Sequence, residues 1–204
     1  MIYLLLFTLE IIVLWRLSRA VNLRFLNTLP MLFYVVLFLP GTFLHELSHW
    51  LAAKLLFVRV GKFSLKPEKR EKEVVLGSVA IEQTNIVKRL LIGAAPVIFG
   101  LMLILSVVYL VVAHELAVGW KAVAVLGYLV FVIGNTMFSS RKDMEGAWKV
   151  VLFIAVLVVA AYFLGLKVNV ELETDVFRHA SLYLLVPIAI DSVILLALSL
   201  MRGR

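Results

Sequence analysis

The chain has 204 residues, of which 63% are hydrophobic and 16% charged, with no cysteine and a formal net charge of +7. Soluble domains average roughly 45–50% apolar and about 25% charged residues, so an ordinary soluble domain is excluded and most of the chain must face lipid. The lack of cysteine removes disulfides, thiol catalysis and cysteine metal sites, so any metal must be held by His, Asp or Glu.

Apolar runs long enough to span a bilayer fall at about 2–17, 31–57, 88–113, 120–140, 147–166 and 181–201. They predict an all-α polytopic membrane protein of about six transmembrane helices, built as one domain over residues 1–204. The first run has no basic stretch before it, and Leu17-Ser18-Arg19-Ala20 is a poor signal-peptidase site, so it reads as a retained helix. The second run carries His45-Glu46-Leu47-Ser48-His49 in its later half. Each ionisable group in the middle of a membrane helix costs about 2.5–3.5 kcal/mol on insertion scales, which makes such groups functional candidates by default. The residues form H-E-x-x-H: His45 and His49, four apart, share one helical face and can converge on a metal ion. Glu46 is turned by about 100° from His45, beside an ion rather than on it, as a base for metal-bound water requires. Just before the motif, Pro40-Gly41 is expected to loosen the helix.

After the second run, 58–65 and 74–81 are rich in apolar and β-branched residues. They flank the charged run Lys66-Pro67-Glu68-Lys69-Arg70-Glu71-Lys72-Glu73. Two short apolar runs around a polar turn predict a small membrane-associated β-hairpin at about 58–84. In the third run, Gly93, Ala94, Ala95 and Gly100 suit close helix packing, and Pro96 suits a kink. His114-Glu115 has no second histidine four residues on and reads as a polar loop. Basic residues crowd into 54–89, 141–149 and the last three positions, all on one side of a six-span topology. That side is expected to be cytoplasmic, although Arg16, Arg19 and Arg24 would then lie outside. Charge placed between apolar segments, with no basic amphipathic face, speaks for a lipid bilayer as partner and against nucleic acid.

Two histidines leave a catalytic zinc one protein ligand short. In this topology His45 and His49 lie toward the cytoplasm, at the depth of Asp143 and Glu145, whereas His114 and His179 belong to the opposite side. Glu10 and Asp191 sit deeper in the first and sixth runs and are expected to hydrogen-bond between helices or to be protonated there.

In these features the chain resembles the site-2 proteases, intramembrane zinc metalloproteases that pair H-E-x-x-H with N-x-x-P-x-x-x-L-D-G two core helices later. Asn135 and Asp143 keep the asparagine–aspartate spacing of that second motif, while Phe138, Lys142 and Met144 stand where the family has proline, leucine and glycine. The resemblance covers a core of about 31–150, including Gly93-Ala94-Ala95-Pro96 and the 58–81 segment. It implies one catalytic Zn²⁺ held by His45, His49 and Asp143, with Glu46 as the base and Asn135 bonding substrate or oxyanion. An interhelical hydrogen bond is the other role open to Asn135. The implied activity is endopeptidase cleavage of single-span membrane proteins in the cell membrane, on the cytoplasmic side. A non-proteolytic scaffold of the same fold is the alternative, and a zinc transporter is a third. Transporters, however, usually spread their ligands along a path between matched broken helices.

Overall fold

A computed structural model describes residues 2–64, 68–70, 73–75, 77–113, 119–138, 143, 148–149, 152, 156, 160 and 170–202. Five long helices organise these residues: α1 (Ile2–Thr28), α2 (Met31–Leu55), α3 (Ile86–Ala113), α4 (Trp120–Thr136) and α5 (Val170–Arg202). Between α2 and α3 lie four short strands, β1 (Val60–Ser64), β2 (Glu68–Arg70), β3 (Glu73–Val75) and β4 (Ser78–Ile81).

The expected membrane architecture is met in its coarse form. Three helices, Met31–Leu55, Ile86–Val112 and Asp175–Leu200, are long and apolar enough to cross a membrane, rather than six. Two physical reasons account for most of the difference. Helix α1 runs on to Thr28 and mixes Glu10, Arg16, Arg19 and Arg24 among its apolar residues, while α4 has only 17 residues. The expected span at 147–166 falls for the most part outside the described residues, as do His114, Glu115 and Glu145.

Pro30 separates the first two helices. The residue before a proline is pushed out of the α region, and Pro30, with φ −55° and ψ 143°, becomes the N-cap of α2. Helix α2 stays helical through Pro40-Gly41. Gly41 has another use there. A Cβ on it would lie 2.5 Å from the Val132 carbonyl oxygen and 2.6 Å from Thr136 Oγ1, so its bare backbone is what lets α4 approach α2. Gly41→Ala should therefore force the two backbones apart and destabilise the protein by roughly 1–3 kcal/mol, the usual cost of overpacking. A lowered thermal midpoint in detergent would check this. Gly100→Ala meets mainly the flexible Met137 side chain and should cost less.

The C-terminus of α2 decides where the hairpin lies. Phe57 N–H donates to Lys54 O at 3.0 Å and Val58 N–H to Ala53 O at 2.8 Å, the paired bonds of a Schellman motif. Phe57 takes the left-handed position usually given to glycine, with φ 55°, and leaves its ring almost wholly exposed. Val58 and Ala53 close the accompanying apolar contact within a cluster that includes Ala52, Ile92 and Ala95. The turn reverses the chain and returns β1 along α2. The expected hairpin forms as two successive antiparallel pairs, β1 with β4 and β2 with β3. A register irregularity lies between Val60 and Phe63.

Helix α3 starts at Asn85, whose side-chain oxygen accepts the Lys88 N–H at 2.9 Å. It packs on α2 through small residues, Ala95 joining Ala52 and Ala53 in one cluster. Helix α4 lies centrally, with every residue from Val130 to Phe138 buried. Helix α1 runs along α5 through contacts such as Phe7 with Phe177, whose ring centres are 5.7 Å apart. The result is a bundle in which α2, α3 and α4 meet around the later half of α2.

Candidate metal centre

His45 and His49 lie one helical turn apart on α2, with imidazole centres 4.9 Å apart, and both are buried. They face Asp143. Its Oδ2 is 3.3 Å from His45 Nε2 and 3.2 Å from His49 Nε2. The three donor atoms lie within 4.8 Å of one another and could hold a metal ion. Burial alone would raise the Asp143 pKa, but hydrogen bonds and charge from the two imidazoles outweigh it and hold the carboxyl well below the usual carboxylate range.

The donor set fits a small divalent ion. Ligands about 2.0–2.2 Å from a tetrahedral zinc stand roughly 3.3–3.5 Å apart, close to the two histidine–aspartate separations. His49 is also fixed from behind, since its Nδ1 donates to the Ile92 carbonyl at 2.8 Å and leaves the Nε2 lone pair for a metal. His45 Nδ1 is buried without a protein partner. It adjoins a small cleft between α2, α3 and α4, lined by residues including Ser48, Pro96, Gly100 and Thr136.

Glu46 is buried beside this group, close enough for its charge to couple to His45, His49 and Asp143. The hairpin reaches it. A Cβ on Gly77 would stand 2.9 Å from Glu46 Cγ.

The remaining sequence candidates lie elsewhere. Asn135 is committed between helices: its Nδ2 donates to Asp191 Oδ1 at 2.7 Å and to Phe131 O at 2.9 Å, while its backbone carbonyl accepts from Asn22 Nδ2 at 2.9 Å. Asn22 Oδ1 in turn accepts from Tyr34 OH at 2.7 Å, so one polar network ties α1, α2, α4 and α5. Of the two roles open to Asn135, the interhelical hydrogen bond is the one it makes. Glu10 likewise bonds across helices, accepting from Ser181 Oγ at 2.8 Å. His179 is exposed on α5 and donates from Nδ1 to the Asp175 carbonyl of its own helix.

The Ile92 carbonyl behind His49 had no signal in the residue pattern, because a side-chain motif does not mark a backbone group. The packing of Gly77 against Glu46 carried none either. No family model, curated protein or solved structure matches this chain.

Proposed function

We propose that the protein is a zinc-dependent intramembrane endopeptidase of the cell membrane, a divergent relative of the site-2 proteases, acting on single-span membrane proteins. The observation that carries this reading is the convergence of His45, His49 and Asp143 with Glu46 beside them, the two histidines and the glutamate lying in a helix otherwise apolar enough to cross a bilayer. Ionisable groups are costly in that setting, and three of them meeting a carboxylate from another segment are most simply explained by chemistry.

Three protein ligands leave a fourth position for water or substrate, the pattern of catalytic rather than structural zinc sites. When bound, zinc would polarise a carbonyl and acidify water. The chain's own residues do the rest. His45, His49 and Asp143 set the donor geometry, and Ile92 O orients His49. Glu46 takes the proton from the attacking water and returns it to the leaving amine. A helical substrate hides its scissile carbonyl, so the substrate must be extended, and the hairpin lying against α2 offers strand edges that could hold it. The basic residues at 54–89 and 141–149 support a mouth that faces the cytoplasm.

The test is incubation of purified protein with a panel of single-span substrates, with and without a chelator. Cleavage within the span that stops on chelation and returns with zinc is expected. Absence of cleavage across the panel, with metal bound, would favour a non-proteolytic binding protein.

A further inference from the structure

A proline inside a helix removes the amide that would serve the carbonyl four residues earlier. Pro96 lies inside α3, which continues through it, and the carbonyl left without that donor belongs to Ile92. Both residues are buried, so bulk water does not replace the missing N–H. A buried carbonyl without a donor is costly and rare in native structures. Here the donor comes from another helix: His49 Nδ1 lies 2.8 Å from the Ile92 oxygen. The two helices are close at this level, where Ile92 and Ala95 of α3 share an apolar cluster with Ala52 and Ala53 of α2. Pro187 supplies a contrast within the chain. It is as fully buried, inside α5 and near Gly134 of α4, but its helix carries none of the three metal donors.

We infer that Pro96 is a positioning residue for the metal group: by withholding an amide it reserves the Ile92 carbonyl for His49 Nδ1, and so keeps His49 Nε2 turned toward Asp143. This rests on His49 as a metal ligand, not on peptide hydrolysis. Metal-binding histidines generally give their other ring N–H to an acceptor, which fixes the tautomer and the ring orientation. The interior of a neighbouring helix is a poor source of one, because each carbonyl there already takes the amide one turn on. A proline releases such a carbonyl without adding a polar side chain to an apolar span. The released oxygen is part of the backbone, so it has no rotamers to lose. Alanine at this position would return an N–H aimed at the Ile92 oxygen. His49 would then share the two lone pairs of that oxygen with the helix. The residue pattern signals only a kink at Pro96, since the link to His49 spans 43 residues and runs through a backbone atom.

Zinc affinity, measured on purified protein by competition with a chromophoric chelator and without substrate, tests the role. Pro96→Ala should bind zinc about 10–100-fold more weakly than wild type, the usual effect of losing an outer-shell partner. Lactate in place of alanine at the same position makes the bond to Ala95 an ester, which has no N–H. That ester variant should recover most of the lost affinity, and Pro187→Ala should bind zinc as wild type does. If Pro96→Ala bound zinc as tightly as wild type, Pro96 would have no positioning role. An ester variant no tighter than Pro96→Ala would assign the loss to the missing ring and overturn the role as well. An equal loss in Pro187→Ala would assign it to helix bending in general, with the same consequence. A second measurement reads the contact in the unaltered chain. In zinc-loaded protein in bilayers, isotope-labelled at histidine nitrogens and isoleucine carbonyls, solid-state NMR should show transfer between a protonated imidazole nitrogen and an isoleucine carbonyl. Absence of that transfer in wild type would refute the contact whatever the variants did. Zinc binding that depends on Pro96, in a protein that cleaves no substrate, would refute only the peptidase assignment. Chelator-sensitive cleavage by wild type, with Pro96→Ala unchanged in affinity, would refute only the role of Pro96.

Discussion

Glu46→Gln is expected to abolish cleavage while leaving the metal site and the fold intact. The substitution is isosteric, and glutamine fills the same space against Gly77. What it lacks is basicity. Removing a positioned general base typically costs about 100- to 10,000-fold, which in a slow protease is indistinguishable from inactivity in an end-point assay. Single-turnover cleavage of one substrate, paired with metal analysis of the same preparation, measures both halves. Turnover within tenfold of wild type would move the proton-transfer role away from Glu46. Loss of metal alongside loss of activity would mean that Glu46 acts as a ligand.

Asp143→Ala is expected to lower metal content more than any change outside the three ligands. Losing an outer-shell partner commonly costs 10- to 100-fold, or about that, in metal affinity, and losing one of three protein ligands should exceed it. His45→Ala and His49→Ala should behave alike, because all three donors lie within 4.8 Å of one another. Metal analysis after dialysis against a weak chelator, with wild type treated in parallel, makes the comparison. Asp143 also reaches back to both imidazoles at 3.2–3.3 Å, so its removal loosens the link to α2 even without metal. Metal content equal to wild type in the Asp143 variant would transfer the third ligand to Glu145.

Some of this site could be read before any fold was known. The spacing of His45 and His49 needs only the helical repeat, and the cost of charge in an apolar run singles them out from His114 and His179. The hairpin was legible too, because β-branched runs on either side of a charged turn have few other solutions. The misreadings have local causes. The hydropathy of 2–17 stops at Arg16, but the helix continues to Thr28 because Ser18, Val21 and Asn22 face α4 and α5 rather than water. Pro40-Gly41 reads only as a loosening of the helix, whereas the close approach of the α4 backbone gives the bare glycine a packing role.

The sequence by itself determined the chemistry: which side chains can bind a metal, which one can move a proton, and that they sit in a helix apolar enough for a membrane. Those properties depend on residues within one or two helical turns, where geometry is fixed by the backbone repeat. The tertiary structure decided the partners. It brought Asp143 across 94 residues to His49, sent Asn135 to Asp191 instead of toward the metal group, and set Gly77 of the hairpin against Glu46. Such contacts depend on how closely two helices pack and on one left-handed turn at Phe57, and no local pattern of residues encodes either.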